Sequence, residues 1–409
     1  MSSPESGATG WPPSQVRIRM TCWKWTFLQV RRASHACRHL IDCATRSITP
    51  PEKRKIRAVS LLRGNAEHFE TFDLVHSRIL HKFPDLVRDL GGRPEVLLER
   101  SGIAPQNCEA ENAATYRQWA AVMESAAAEL GVADFGMRLA LRQGGAGVYA
   151  ALGTVMRNSR DFGAALSFVT AHNAAHSRAA RVWKEPTASG EHVFLGHDIL
   201  VESMTDRRQA IEQALLLGQL GAREITGGRV SARCVHFRHR AMSDPAVYRR
   251  NFGCEVRFCR TEDGIAFRSA DLTCPIVDSD AESGRRAAAF IERAYGNRGL
   301  PLSAQVRGIV MQRLSTRDCI IESIASELAI HPRTLHRRLK REGGCFQQIK
   351  DEVRRDLLTY YLEHTELELA SISSMLGFSE QSALSHFCRH NFRMSPTDLR
   401  NLSRQRAAA

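Results

Sequence analysis

The sequence predicts two successive folded regions: an α+β domain, followed by an all-α domain in which two helix-turn-helix units are joined by a long helix. Three observations support this fold class. Helical and alternating hydrophobic patterns are mixed between about residues 69 and 295, no strand pattern follows residue 302, and one helical pattern occurs twice beyond that point. With 409 residues, 43% of them hydrophobic, the chain is long enough to form a core in each region.

Residues 1–66 differ from the rest of the chain and are predicted to be a basic, disordered extension. Residues 1–57 hold eleven Lys and Arg against three acidic residues, without a sustained hydrophobic period. The alternatives are an arm that contacts DNA phosphates and a stretch upstream of a later start codon. The chain shows no signal-peptide pattern and no run of about 18 apolar residues, so we expect a cytoplasmic protein without a membrane partner.

Residues 67–296 are predicted to form the α+β domain. Helical patterns occur near residues 72–90, 94–101, 115–130, 134–142, 161–176 and 205–225. Strand patterns occur at residues 178–185, 191–199, 233–239, 255–260 and 264–269. The stretch "YGNRGLP" contains two glycines and a proline, so residues 297–301 are predicted to be a linker between the domains.

Three polar residues of the first domain, His172, His176 and Arg178, are candidates for lining a small-molecule pocket. The two histidines are four residues apart in a helical pattern and share one helix face. Metal binding is disfavoured because no glutamate follows the first histidine, and a dinucleotide site at "GAGVYA" is disfavoured because no buried strand precedes it. No G-x-S-x-G motif appears, and we expect no metal, no cofactor and no catalytic residue.

Residues 302–409 are predicted to be helical and contain the basic segment "HPRTLHRRLKREG" (331–343). Pro332 suits the first position of a helix, and Leu335 and Leu339 then lie on one face. The preceding segment "DCIIESIASELAI" (318–330) is also helical in pattern, and only a tight turn separates the two. A helix, a short turn and a basic helix form a helix-turn-helix unit. For one copy alone, a helical hairpin with a solvated basic face remains the alternative.

The same scheme recurs in "LASISSMLGFSEQSALSHFCR" (369–389), which favours the helix-turn-helix interpretation. Gly377 supplies the turn, Ser379 is the predicted N-cap, and Leu384 anchors the second helix. Aligned leucines in the two units lie 48 or 49 residues apart, which indicates an internal repeat.

A long helix is predicted between the two units, over residues 345–364. Such a helix spans roughly 30 Å, close to the roughly 34 Å of one turn of B-DNA, so it can hold two recognition helices over successive major-groove segments. After the second unit, "MSPTDLR" predicts a closing helix that begins at Pro396 and is capped by Ser395.

These residues resemble the AraC/XylS family of bacterial transcription regulators. The resemblance runs from "IASELAIHPRTLHRRLKREG" to "ASISSMLGFSEQSALSHFCRHNFRMSPTDLR" and covers about 100 C-terminal residues. The first domain resembles the arabinose-binding-like domain of the subgroup that includes ornithine-utilisation regulators and mycobacterial virulence regulators, through "GVYAALGTVMRNSRDFGAALSFV" and the segment from "RCVHFRH" to "LTCPI". The two resemblances together imply an effector-binding and oligomerising domain before an AraC-type double helix-turn-helix domain.

The resemblance also implies which residues contact DNA. In the first unit they are Arg333, Thr334, His336, Arg337 and Lys340, and in the second Gln381, Ser382, Ser385, His386 and Arg389. Arginine reads guanine through bidentate contacts to O6 and N7. At His386 many relatives carry arginine, which favours phosphate contacts over base contacts in the second unit.

We therefore expect a sequence-specific transcription factor, not an enzyme, whose promoter binding is modulated by a small-molecule effector or by dimerisation. The expected partners are double-stranded promoter DNA, an effector, a second copy of the chain and RNA polymerase. The alternative is a small-molecule-binding protein or enzyme whose helical C-terminal appendage does not bind DNA.

Overall fold

The structure is a computed structural model, and it describes residues 72–104, 113–204, 206–295, 300–316 and 318–408. The predicted extension (1–66) and most of the predicted linker therefore lie outside the described residues. Among the helices that are described, none is both long enough and apolar enough to cross a membrane.

The first segment of the α+β region differs from the predicted helix over residues 72–90. Instead, strand β1 (Leu74–His76) pairs antiparallel with β2 (Ala113–Thr115), a 3-10 turn follows, and helix α1 begins only at Phe83. The helix prediction was wrong because β1 pairs with a strand about 40 residues away. A hydrophobic pattern within one segment cannot reveal such a pairing. Lys82 has a φ of +65°, so the chain also breaks just before α1.

Six α-helices of the described region precede the strands of the central sheet in the chain. They are α1 (Phe83–Asp89), α2 (Pro94–Arg100), α3 (Tyr116–Glu129), α4 (Phe135–Gln143), α5 (Ala150–Arg157) and α6 (Phe162–His172). Helices α2, α3 and α4 lie where they were predicted, whereas α6 ends four residues early in the 3-10 turn Asn173–Ala175. Helix α5 was not predicted; it follows a glycine-rich stretch and starts at Ala150, whose φ of +49° interrupts the helical pattern.

The central sheet of the described region has five strands in the order β3-β4-β7-β5-β6. Its elements, with the helices between them, are β3 (Ala180–Pro186), β4 (His192–Ile199), α7 (Arg208–Ile225), β5 (Cys234–His236), α8 (Pro245–Phe252), β6 (Glu255–Arg257), β7 (Asp263–Arg268) and α9 (Ala281–Tyr295). Strands β3 and β4 form the predicted hairpin. Helix α8 was missed, although the parallel pairing of β5 with β6 requires a crossover, and Asp244 caps it by accepting the N–H of Ala246 at 2.7 Å.

The regular structure of the described part of the C-terminal region is entirely helical, which confirms the predicted fold class. Its helices are α10 (Leu302–Arg313), α11 (Ile321–Glu327), α12 (Pro332–Arg341), α13 (Phe346–His364), α14 (Leu369–Met375), α15 (Gln381–Phe392) and α16 (Pro396–Ala408). The 19 residues of α13 span about 28 Å between the two helix-turn-helix units.

Two predicted helix caps have different outcomes. Ser395 and Asp398 form the expected reciprocal cap of α16, with the Ser395 hydroxyl donating to Asp398 Oδ2 at 2.6 Å. The cap at Ser379 was wrong: α15 begins one residue later, and Glu380 takes the N-cap position without a side-chain hydrogen bond. The Glu380 carbonyl instead accepts the hydroxyl of Ser373, which fixes the length of this turn.

The turns of the two units share a left-handed backbone position, occupied by Ala329 (φ +51°) and by Gly377 (φ +68°). A Cβ atom on Gly377 would lie 1.9 Å from the carbonyl oxygen of Leu314. We therefore expect Gly377→Ala to lower the free energy of unfolding by about 2–3 kcal/mol, through backbone strain and overpacking.

Gly91→Ala is the matched control for this change. Gly91 has a φ of +81°, but no atom of the described residues would lie within 4 Å of an added Cβ, so only strain of about 1 kcal/mol is expected. Denaturant unfolding of both variants measures the difference, and equal losses would show that the contact with Leu314 does not constrain this turn.

Candidate nucleic-acid interface and effector cavity

Helix α12 of the first unit combines a buried anchor with a basic outer surface. Leu335 and Leu339 are fully buried against the C-terminal core. The N-cap is His331, whose Nδ1 accepts the N–H of Arg333 at 3.2 Å. Six basic side chains of the helix are exposed: Arg333, His336, Arg337, Arg338, Lys340 and Arg341. Thr334, beside them, is half-buried.

These six basic side chains make no hydrogen bond or ion pair with another residue in the described ranges. Many other basic groups of the protein are paired, as Arg313 is with Glu327 at 2.7 Å. Arg333 and Arg337 are four residues apart and share one side of the helix. The helix thus presents cationic donors that remain available to an anionic partner.

Helix α15 of the second unit is built in the same way but is less basic. Leu384 and Cys388 are fully buried and anchor it. Its outer surface carries Gln381, Ser382, His386 and Arg389, all exposed, and the half-buried Ser385. The hydroxyl of Ser385 donates to the carbonyl of Gln381 at 3.1 Å, which leaves its oxygen free to accept a further hydrogen bond.

Two basic residues of α13, one helical turn apart, attach the two units to this helix. Lys350 Nζ donates to the carbonyl of Cys319, just before the first unit, at 2.7 Å. Arg354 donates to the carbonyls of Leu376 and Gly377, in the turn of the second unit, at 3.1 and 3.2 Å. Both helix-turn-helix units are therefore attached to the same helix, which sets their positions relative to each other.

A cavity of about 90 Å³ lies in the α+β region, between the sheet and helices α3, α5, α6 and α7. Its walls are mostly apolar and aromatic, and include Trp119, Met156, Phe162, Leu195 and Phe267. The polar residues among its lining are Tyr116, Tyr149, Asn173, His176 and His197. No Lys, Arg, Asp or Glu among the described residues lines it.

Both histidines of the cavity are neutral at physiological pH. Burial, aided by the nearby His76 and His197, lowers the pKa of His176 to about 3. Burial also lowers the pKa of His197 to about 4, against the opposing charge of Asp198. The Nδ1 atoms of both rings are buried and have no hydrogen-bond partner among the described residues. His197 Nε2 lies 3.4 Å from the hydroxyl of Tyr116.

The three predicted pocket residues do not form one site. Only His176 lines the cavity. His172 stacks on Phe168, and its Nε2 lies 2.6 Å from Glu292 of α9, which holds it outside the cavity. Arg178 lies in a separate cleft beside α10 and α12. His197, Tyr116 and Tyr149 were not identified from the sequence.

Comparison with known proteins agrees with both regions of this structure. Residues 91–276 match the family described as "Arabinose-binding domain of AraC transcription regulator, N-term", and residues 324–402 match a helix-turn-helix domain family. The chain is 32% identical, over 332 residues, to the HTH-type transcriptional regulator VirS of Mycobacterium tuberculosis, which covers 81% of this chain and 97% of the relative. The chain belongs to the AraC family of transcriptional regulators.

Two further similarities cover less of the sequence or are more distant. The ornithine utilization regulator of Pseudomonas aeruginosa is 36% identical over 80 residues, which are 20% of this chain and 24% of the relative. The crystal structure of the transcriptional regulator CdpR from Pseudomonas aeruginosa covers 75% of this chain and 96% of its own, with 18% identity and a TM-score of 0.37.

In this AraC-type regulator, the arabinose-binding-like region packs directly on α13. The backbone N–H of Ser203 donates to Asp356 Oδ2 at 3.0 Å, and the same oxygen pairs with the buried Arg307 of α10. At the C-terminal end of α13, the N–H of Arg240 donates to the carbonyl of His364 at 2.9 Å. The helix that orients both DNA-binding units is thus held by the regulatory region.

A buried cluster of three charged side chains of the arabinose-binding-like region lies near Tyr361 of α13. Arg238 Nη1 lies 2.7 Å from Asp198 Oδ1 and 3.3 Å from Asp263 Oδ2, and all three side chains are buried. The positive charge of Arg238 also reaches Tyr361 of α13, where it opposes the rise of the tyrosine pKa to about 12 that burial produces. Asp198 directly follows the cavity residue His197, so the cavity wall and the connecting helix meet in this cluster.

Proposed function

We propose that this protein is a sequence-specific DNA-binding regulator whose affinity for promoter DNA is controlled by a small molecule bound in the regulatory region. The observation that carries the proposal is the repeated recognition helix, anchored by buried leucines, with an outer surface whose basic side chains have no partner among the described residues. Residues 67–296 form the regulatory domain, 297–301 the linker and 302–409 the DNA-binding domain.

Each recognition helix enters the major groove of the same duplex, one helical turn from the other. Contacts in the first unit come from Arg333, Thr334, His336, Arg337 and Lys340, and those in the second from Gln381, Ser382, Ser385, His386 and Arg389. The first unit, with the denser positive charge, supplies most of the base readout, whereas the second mainly contacts phosphates and sets the register. RNA polymerase and a second copy of the chain are the further partners of this function.

Strand β4 is the route by which the cavity influences DNA binding. Leu195 and His197 of this strand line the cavity, Leu200 packs in the core of the DNA-binding region, and Ser203 hydrogen-bonds to Asp356 of α13. A ligand that moves β4 therefore moves the support of α13. The ligand shifts the population of molecules that can bind DNA only to the extent that it binds one conformation of the protein more tightly than the other.

Selection of binding sites from a random pool of double-stranded DNA, with the full chain at two salt concentrations, tests the proposal. We expect an enriched sequence with two half-elements about one helical turn apart, and a logarithm of the affinity that falls linearly with the logarithm of the salt concentration. A chain that begins at residue 67 is the control for the basic N-terminal segment. If the selected affinity disappears with that segment, the helix-turn-helix units do not read DNA.

Arg337→Ala should weaken binding to the selected site by about 1–3 kcal/mol and relax the preference at one base pair. Arg337 is exposed on the outer side of α12, so the folded state should be unaffected. Arg285→Ala removes the same charge from an exposed site on α9 and should change affinity little. Affinities for a panel of single-base variants of the site distinguish base readout from a uniform loss, which would make Arg337 a phosphate contact.

A further inference from the structure

The cavity in the arabinose-binding-like region excludes charged ligands. No ionisable Lys, Arg, Asp or Glu among the described residues lines it, and both of its histidines are neutral. An ion that entered the cavity would lose its hydration without gaining a counter-ion, which is the most unfavourable form of burial. The walls are equally unsuited to a cation and to an anion.

The cavity is also unsuited to a molecule with many hydroxyl groups. Two of its polar side chains are already engaged, since Asn173 Nδ2 donates to the carbonyl of Ala180 at 2.8 Å and the Tyr116 hydroxyl lies 3.4 Å from His197. The remaining surface is built from aliphatic and aromatic groups. A pentose would leave several hydroxyls without partners, each of which costs binding free energy.

The groups left for a ligand are few and lie on adjoining elements. His176 Nδ1 and His197 Nδ1 are buried without a partner among the described residues, and the ring of Tyr149 packs edge-on against His176 at 5.1 Å between centroids. Such unpaired buried nitrogens are unfavourable in the empty protein and are satisfied by a ligand with one hydrogen-bonding group.

We propose that this cavity binds an uncharged, mainly apolar molecule, of about single-ring size, whose one hydrogen-bonding group meets His176 and His197. This inference rests on the proposed function, because it names the class of effector that the regulatory domain senses. Cavities of about 150 Å³ take up benzene. The present volume of about 90 Å³ is smaller, so the walls move outward on binding. Met156 is the adaptable part of the wall, and β4 transmits the movement to α13.

Titration calorimetry of the full chain at pH 7.5 with four matched probes tests this inference: benzyl alcohol, toluene, benzoate and L-arabinose. We expect saturable binding of benzyl alcohol, at least about five-fold weaker binding of toluene because it lacks the hydroxyl group that meets the two imidazoles, and at least about 100-fold weaker binding of benzoate. L-arabinose should give no saturable heat. Benzoate or L-arabinose binding as tightly as benzyl alcohol, or no saturable binding by any probe, would overturn the inference.

His176→Phe should reduce the preference for benzyl alcohol over toluene, because only the contact with His197 remains, while toluene still binds. His192→Phe is the control, since His192 lies on the same strand as His197 but does not line the cavity. Should His176→Phe prove unfolded in a thermal melt, His197→Phe serves the same purpose. An unchanged preference in the folded variant would show that these imidazoles do not meet the ligand.

DNA affinity measured with and without benzyl alcohol separates this inference from the proposed function. If benzyl alcohol binds with the expected preference and DNA affinity is unchanged, the ligand class stands and the proposed control of DNA binding fails. If none of the probes binds and the protein still selects a DNA sequence, the ligand class is wrong and the DNA-binding function stands.

Discussion

Replacing Arg238 by methionine should lower the free energy of unfolding by about 3–5 kcal/mol. Arg238 is 1% exposed and lies between Asp198 and Asp263, which are fully buried. Burial raises the pKa of Asp263 even with the guanidinium in place. The variant would leave two buried carboxylates without this cation, and denaturant unfolding at pH 7.5 measures the loss.

Arg240→Met is the matched control for this change. Arg240 pairs with Glu366 at 2.7 Å, but both side chains are more than half exposed, so its loss should cost less than about 1 kcal/mol. Equal losses for the two variants would mean that the buried cluster contributes no more than a surface pair.

The stability deficit of Arg238→Met should also depend on pH. Without Arg238, the pKa of Asp263 rises further above its unfolded value of about 3.9, so the native state holds a proton that the unfolded state releases. A carboxyl group with a raised pKa stabilises the protein below its unfolded pKa, and this contribution is lost as the pH rises through the folded pKa. The difference in free energy of unfolding between the wild type and Arg238→Met should therefore become smaller as the pH is lowered from 7.5 to 4.5. A difference that does not change with pH would contradict an electrostatic origin.

The helix-turn-helix units could be predicted from the sequence because their structure is local. Leu335 and Leu339 anchor a helix whose entire outer surface is encoded within ten residues, and the turn before it is four residues long. The repeat at Gly377 adds a second, independent copy of the same pattern. The helix period alone therefore gives the residues that face away from the core, including every basic side chain of α12.

The elements that were mispredicted depend on contacts between distant parts of the chain. Residues 74–76 have a helical pattern but pair with Ala113–Thr115, and this pairing prevails over the local preference. The N-cap of α15 lies at Glu380 instead of Ser379, a difference of one residue that the carbonyl contact with Ser373 sets.

The cavity could be predicted least, because its walls come from segments spread between Ile79 and Phe267. The spacing of His172 and His176 suggested a common face, yet Glu292 of α9 holds His172 outside. His197 carried a usable signal: it lies two residues after Leu195 in an alternating strand, and both side chains line the cavity. A histidine on the same face of a strand as its apolar residues is therefore a sequence feature that indicates a buried polar side chain in a cavity wall.

Asp356→Asn should both destabilise the protein, by about 3 kcal/mol, and uncouple the cavity from DNA binding. Arg307 is 4% exposed, and Asp356 is the one hydrogen-bond acceptor of its guanidinium among the described residues. The nearby Glu202 interacts with Arg307 only through longer-range charge, which places the loss at the lower end of the range for a broken buried pair. The asparagine also weakens the acceptor for the N–H of Ser203, the contact that joins the segment after β4 to α13.

Asp351→Asn, on the same helix, is the control for this change. Its contact with Arg354 is 3.6 Å long and partly exposed, so we expect a loss below about 1 kcal/mol and unchanged coupling. Unfolding by denaturant gives the stability, and the ratio of DNA affinities with and without cavity ligand gives the coupling. In Asp356→Asn this ratio should approach one while the ligand still binds, because the cavity itself is intact. A ratio that stays at the wild-type value would show that the regulatory region acts on α13 by another contact, of which the hydrogen bond from Arg240 to His364 is the next to test.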